Sequence, residues 1–433
     1  MLPQARQHQR FLAENPELSA KERKAAAETE RVLREAGIPY ERIGYTVVAK
    51  VGDGGPAVFI RGDVDALPVK GQAESPRHSL EPAGNWRYHR RSDPASNPMG
   101  AAHLCGHDGH AGGLMAVTLA ARKLQLEGRL PGSLVAGFQS SEEDAEKSGG
   151  RELLWSGMLQ ELGVEAAVAA HLVGDRPYRS ATADPGLVNA MCAPFKLTVE
   201  GISGHGGYKR PGERVRELDL LAQHDPDAAW QARLADGIGV RPTLAASAFE
   251  VALWREIQAR FGDQVVMNIG WSRAGDAPVY NVIPGAAEKL GGLRVLSDDP
   301  KVQQAALDLV RETASRQAIE WGCKVKELSF PPGLPPVVND ALLAAITQEL
   351  LPAAGLTLGA ERRTPGGDDF ALYRELGIPT LYSFVGLDGA PGWKKANIHD
   401  PDWRTPEVAT ELVARADVAM YFAALRRLGM TAA

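Results

Sequence analysis

Cys105, His107, Asp108 and His110 fall within six residues, in the run His103-Leu-Cys-Gly-His-Asp-Gly-His110. A thiolate and an imidazole two residues apart can turn toward one divalent metal ion, since thiolate sulfur and imidazole nitrogen are both good donors to such ions. The glycines around them permit backbone angles that bulkier residues resist. Taken singly, His103 reads as a loop histidine and His110 as a residue near a helix N-terminus. The cluster becomes a site only if distant segments bring it partners.

Those partners have a place to come from. Residues 47–51, 57–60, 165–170, 378–385 and Ser133–Gln139 are apolar and read as strands, and residues 112–126 read as a helix just after the cluster. In open α/β sheets, ligands bind beyond the carboxyl ends of the strands. Arg61-Gly-Asp63-Val-Asp65 leaves one strand, Ser140-Ser-Glu142-Glu143-Asp144 leaves another, and residues 165–170 end on His171. Asn397-Ile-His399-Asp400 lies in a loop beyond the last strand. Adjacent carboxylates such as Glu142 and Glu143 can divide labour, one holding metal and the other moving protons; the plain alternative is an acidic surface turn. Asp63, Glu142, Glu143 and His171 thus come from three strand ends, and Cys105 and His107 from a loop leading into a helix. Scattered surface residues would not be expected to follow that rule.

A chain of 433 residues exceeds a single ordinary core and predicts two domains. The net charge of −6 argues against a nucleic-acid partner. No apolar run approaches the ~18–20 residues of a membrane span, and the first residues lack the apolar core of a secretory signal. Three widely spaced cysteines form no disulfide framework, so a reducing cytoplasm is the expected location. Ser19-Ala-Lys-Glu22 reads as a capping box opening an amphipathic helix that stops at Gly37, with a packing role only. Residues 70–99 form a polar stretch too long for a plain connection. In it, Tyr88, His89, Arg90 and Arg91 either line a pocket for an anionic aromatic ligand or lie on a solvated loop. From about Ala193 the pattern changes to strands at 195–200, 265–271, 288–296 and 325–330, a charged helix-rich region, and a helix at 301–321. The proline-rich run Pro331-Pro-Gly-Leu-Pro-Pro336 reads as a return linker. The expected organisation is an α/β domain made of residues 1–192 and 333–433, with an α+β domain of residues 193–332 inserted in it.

Arg61-Gly-Asp-Val-Asp-Ala-Leu-Pro68, His103-Leu-Cys-Gly-His-Asp-Gly-His110 and Phe138-Gln-Ser-Ser-Glu-Glu143 occur in that order. Gly204-His205, Asn281-Val-Ile-Pro284, Val338-Asn-Asp340, Gly367-Asp-Asp-Phe370 and Asn397-Ile-His399 follow. Together they span nearly the whole chain and resemble the metallopeptidase and amidohydrolase family that includes aminoacylases, carboxypeptidase G, bacterial hippurate hydrolases and plant auxin-conjugate hydrolases. The resemblance implies a metallopeptidase-like catalytic domain, with a mixed sheet flanked by helices, and an inserted lid domain that also dimerises. It implies Cys105, His107, Glu143, His171 and His399 as ligands of one or two divalent ions per subunit, zinc or manganese. Glu142 would be the general base toward metal-activated water, and Asp63 would hold a ligand histidine in orientation from behind. His205 would stabilise the oxyanion across a dimer interface, and Asn281 and Arg294 would hold a substrate carboxylate. On their own residues alone, Asn281 reads as a turn former and Arg294 as strand surface.

The function so implied is hydrolysis of a C–N bond in a small carboxylate-bearing substrate, an N-acyl amino acid or similar conjugate. Four features depart from the family pattern: the Gly206-Gly-Tyr-Lys-Arg-Pro211 run after His205, residues 212–262, Asp368-Asp369 where Glu-Asp is usual, and the long 70–99 stretch. All lie where substrate would be shaped rather than where metal would be held. They keep open a hydrolytic deaminase of an aromatic amine, like the family's 5-nitroanthranilate aminohydrolase, which releases ammonia. A catalytically inactive relative that only binds metal or ligand is the third reading, and an intact Glu142 weighs against it.

Overall fold

The structure, a computed structural model, describes residues 1–69, 100–207, 212–275, 279–360 and 363–430. Tyr88, His89, Arg90 and Arg91 lie outside them. The chain divides into two compact units: Met1–Val188 with Val337–Arg363 and Asp368–Ala433, and Asn189–Pro336 with Thr364–Gly367.

The first unit is built on an eight-stranded mixed sheet. Its order is Tyr40–Ile43, Thr46–Val51, Ser133–Gln139, Ala57–Asp63, Val164–Pro177, Thr380–Asp388, Ser180–Ala181 and Thr357–Leu358. The four strands Ser133–Gln139, Ala57–Asp63, Val164–Pro177 and Thr380–Asp388 run parallel. A parallel strand covered on both faces reads as a continuous apolar run, and Val58, Phe59, Ile60, Leu134, Val135 and Ala166 to Ala169 are all essentially buried. Helices His107–Leu126 and Ala409–Arg427 pack on the sheet, and helix Leu2–Glu14 packs on both of them. Gly113 lets two of them meet closely: a Cβ there would lie 2.4 Å from Cβ of Val413.

Register sets the height of the site. Asp63 pairs with Gln139, Arg61 with Ala169, and His171 with Phe384. Asp63, Gln139 and His171 therefore stand at one level, toward the carboxyl ends of three parallel strands. Two expectations need adjusting. The strand bearing His171 continues to Pro177 instead of stopping there. The helix after the cysteine begins at His107, so His107, Asp108 and His110 sit on its first turn, behind an N-cap glycine, Gly106, at φ 88°.

The second unit has a four-stranded antiparallel sheet in the order Val265–Ala274, Ala286–Val295, Met191–Glu200, Lys324–Ser329. Helices Pro242–Phe261 and Pro300–Glu320 pack on one another and on the sheet. Phe195, Leu197, Phe249, Leu253, Leu293 and Leu309 form the core between them. This is the open-faced α+β arrangement that the alternating strands and amphipathic helices predict.

Candidate metal centre

Cys105, His107, Glu142, Glu143, His171 and His399 come together in the first unit. The donor atoms of Cys105, His107 and His171 lie within 4.8 Å of one another, as do those of Cys105, Glu143 and His399, and those of His107, Glu142 and Glu143. Donors bound to one zinc ion at ~2.0–2.3 Å stand roughly 3–4 Å apart. Here Cys105 Sγ is 3.4 Å from His171 Nε2, His399 Nε2 is 3.2 Å from Glu143 Oε1, and His107 Nε2 is 3.8 Å from the same oxygen.

Hydrogen bonds set the ring tautomers. His107 Nδ1 lies 3.0 Å from both the carbonyl and the carboxylate Oδ1 of Asp65, two acceptors, so it carries the proton and, in the neutral ring, Nε2 keeps its lone pair. His171 Nδ1 donates to the Leu172 carbonyl at 2.8 Å, which leaves its Nε2 facing Cys105. His110 is different: Nδ1 donates to Asp63 at 2.6 Å and Nε2 accepts from the Leu172 N–H at 2.8 Å, so both nitrogens are committed. Asp108 is also committed, accepting from Thr405 Oγ1 at 2.7 Å and from Gln9. Of the four side chains that drew attention in the sequence, two serve the centre and two brace it. His399 reaches Glu143 from a left-handed backbone, φ 67°, unusual for a residue with a Cβ, and its N–H donates to the Leu104 carbonyl at 2.7 Å.

The electrostatics call for a cation. Burial opposes a charge on His107, but Asp63, Asp65 and Glu143 outweigh it and lift the imidazole to about 10. Burial pushes the Cys105 thiol well up, with Glu143 and Glu142 adding to it. Burial also raises Glu142 well above the usual carboxyl range, reinforced by Asp368 and Glu143. Burial lowers His171 far below an ordinary histidine, so its ring is neutral. The buried atoms His107 Nε2 and Glu143 Oε1 have no hydrogen-bond partner among the described residues. Orphaned donors facing an excess of carboxylate fit a divalent cation, which would stand where the extra proton on His107 otherwise stands.

Asp63 sits behind the centre, but its strongest ties are to His110 and Arg61, and its Oδ2 is 3.7 Å from His107 Nε2. Asp65 is the carboxylate that orients His107, and its Oδ2 also accepts the Glu143 N–H at 3.0 Å. The sequence held no signal for this: the strand ends at Asp63, and Asp65 lies in the turn after it, beyond the reach of strand alternation. Arg61, buried, pairs with Asp63 and with Asp368, which accepts from Tyr382 Oη at 2.7 Å. Asp368 and Asp369 lie against Glu142.

His205, Asn281 and Arg294 belong to the second unit. His205 and Asn281 line one hollow of about 750 Å³, together with Ser203, Arg241, Thr243 and Tyr280. His205 Nδ1 accepts the Gly207 N–H at 3.1 Å, which puts the proton of the neutral ring on Nε2. Arg241 donates to the Gly206 carbonyl at 2.9 Å and meets no carboxylate among the described residues. Arg294 is not in this lining; its guanidinium bonds to Cys192 across paired strands. No sequence signal singled out Arg241, because its nearness to His205 comes from a fold-back of the chain.

The model of peptidase family M20/M25/M40 matches residues 59–424. N-acetylcysteine deacetylase of Bacillus subtilis (strain 168) is 28% identical over 421 residues, covering 96% of this chain and 94% of that protein. IAA-amino acid hydrolase ILR1-like 2 of Arabidopsis thaliana is 28% identical over 413 residues, covering 92% of this chain and 80% of that protein. Among solved structures, the Bacillus subtilis YXEP protein, described as a dinuclear metal binding peptidase from the M20 family, superposes with a TM-score of 0.71 at 24% identity over 99% of each chain.

Proposed function

The chain belongs to peptidase family M20/M25/M40 and is a metal-dependent hydrolase of C–N bonds, and we propose that its substrates are small N-acylated amino acids or similar carboxylate-bearing conjugates. Two relatives whose names specify an N-acetylated or N-conjugated amino acid support that class. The observation that carries the reading is the convergence of Cys105, His107, Glu143, His171 and His399 beside an acid, Glu142, that the sequence marked as a base. Two donor groups that share Cys105 support a pair of divalent ions per subunit, zinc or manganese.

When bound, the metal supplies Lewis acidity toward water and the substrate carbonyl. Glu142 takes one proton from the water as its oxygen adds to the acyl carbon. It then delivers that proton to the nitrogen as the C–N bond breaks, leaving a carboxylic acid and an amine. His205 donates from Nε2 to the oxyanion. Asn281 and Arg241 hold the substrate carboxylate in the hollow they share, with Arg294 as a second candidate. A homodimer is supported by the second unit, where the edge strand Val265–Ala274 exposes Val266 and Trp271 and helix Pro242–Phe261 exposes Val251 and Trp254, the latter two next to Met267 and Ile269 of that strand. Among the described residues no helix is long and apolar enough to cross a membrane, and three free cysteines suit a reducing cytoplasm.

The deciding experiment offers N-acyl amino acids and aminobenzoates to metal-loaded protein and measures free amino acid against ammonia. Ammonia from an aminobenzoate moves the assignment to an aromatic aminohydrolase, and neither product leaves an inactive binder. Removing His399 tests the ligand set: His399→Ala is expected to lower bound metal by elemental analysis, and a full complement would strike it from the ligands. For the carboxylate, Arg241→Gln is expected to raise KM about tenfold or more with kcat nearly held, as befits one charge-assisted hydrogen bond. A larger effect at Arg294→Gln would return the role to Arg294.

A further inference from the structure

We propose that Ser19 and Glu22 are positioning residues of the metal centre, through which the N-terminal turn clamps the Glu142–Glu143 loop and the carboxylate behind His107. The proposal rests on the metal-centre reading above and adds to it residues that the sequence pattern marks only as a helix cap. That cap does not form. Glu17 Oε2 accepts the Lys24 and Ala25 N–H groups at 2.6 and 3.1 Å, so the first turn of helix Arg23–Glu35 is satisfied from six residues upstream. Ser19 and Glu22 are thereby released to bond elsewhere.

Both turn to the site. Glu22 Oε1 accepts the Ser141 N–H at 2.7 Å and the Ser141 hydroxyl at 3.2 Å, and Ser141 Oγ in turn accepts the Ala20 N–H at 2.7 Å. Ser141 precedes Glu142 directly and stands at φ 54°, a left-handed backbone that a residue with a Cβ holds only when its surroundings impose it. Its three bonds to the 20–22 turn are that imposition, and they set the direction in which Glu142 leaves the strand. Ser19 acts one step away. Its hydroxyl donates to Asp65 Oδ2 at 2.7 Å, the oxygen that also accepts the Glu143 N–H, while Asp65 Oδ1 fixes His107. The turn is pinned in its own right by the Ala66 N–H donating to the Glu17 carbonyl at 2.8 Å. A purely packing role would be served better by an apolar side chain than by Glu22, which is fully buried.

The test uses the full chain with Glu22→Ala, Glu22→Gln and Ser19→Ala. Each variant is loaded with zinc and equilibrated against a graded chelator, and retained zinc is measured by elemental analysis. Kinetics on the best N-acyl amino acid and a urea midpoint are recorded alongside. Glu22→Ala is expected to lose about 10–100-fold in zinc affinity or kcat with KM little changed. Glu22→Gln is expected to recover most of that, because its amide oxygen accepts both Ser141 bonds. Ser19→Ala should show a smaller loss confined to zinc affinity. Wild-type zinc affinity and kcat in folded Glu22→Ala overturn the proposal, as does a loss in Glu22→Gln equal to that in Glu22→Ala. Should Glu22→Ala not fold, unchanged zinc affinity in Ser19→Ala overturns it instead. Should the wild type hydrolyse no N-acyl amino acid, the zinc measurement decides alone, so the substrate reading can fail while the clamp stands.

Discussion

Glu142→Gln is expected to lower kcat about 10²–10⁴-fold while metal content and KM stay close to wild type. The geometry explains why the loss falls on kcat. Glu142 Oε2 is 3.9 Å from His107 Nε2, within the ring of donors, yet Glu142 is absent from both groups that contain Cys105. Asp368 and Asp369 lie within 4.8 Å of it, and their charges add to burial in raising its proton affinity. A carboxylate at this position can accept a proton and give it back, whereas an amide does neither. Glutamine matches the size of glutamate and leaves the metal donors in place, so the substitution isolates proton transfer from metal binding. The measurement is kcat alongside the metal-to-protein ratio on the same preparation. Retained turnover at full metal loading would remove Glu142 as the base. Turnover lost together with metal would instead make it a ligand.

What the sequence made legible follows from what is local. The parallel strands announce themselves as apolar runs because both their faces are covered, and Ser133–Gln139 has the bounds that its residues predict. The cysteine–histidine cluster and the Glu142–Glu143 pair stand out because they combine rare residue types at strand and helix ends. Other features depend on long-range geometry. Ser19 and Glu22 match a capping pattern, yet Glu17 does the capping, and only the fold reveals that Ser141 waits as their partner. Asp65 and Asp63 are indistinguishable as letters; register and the turn after the strand decide that Asp65 meets His107 and Asp63 meets His110. Arg241 lies 36 positions from His205 and becomes its neighbour only because the chain returns through the Ile202–Val240 bridge. The Asp368–Asp369 departure looks like a substrate feature in the sequence. In the structure Asp368 pairs with buried Arg61, Asp369 accepts from Gln139 and Ser148, and both lie near Glu142, so the pair is also part of the buried charge balance behind the centre.

That charge balance gives the second large effect. Arg61→Met is expected to destabilise the first unit by about 3–5 kcal/mol, read as a lower urea midpoint at neutral pH. Arg61 is 2% exposed, pairs with Asp63 and Asp368, and lies 5.8 and 6.0 Å from the ring centroids of Phe370 and Tyr382. Methionine fills much of the same apolar space, so packing is largely kept while two buried carboxylates lose their cation. The pH dependence separates this cause from a cavity. Burial alone would raise the Asp63 carboxyl, but His107, Arg61 and His110 hold it well below its ordinary 3.8. A group depressed in the folded state stabilises above its unfolded value and loses that contribution as pH falls through the folded one. The gap between wild type and Arg61→Met should therefore be widest at neutral pH and narrow in acid, where a protonated Asp63 no longer needs the guanidinium. A cavity would leave the gap independent of pH. Adding Asp368→Asn to Arg61→Met should recover part of the lost stability, since it removes one of the stranded charges. An unchanged midpoint in Arg61→Met would mean that the remaining positive charge of the centre, His107 or the metal, suffices to balance the carboxylates around it.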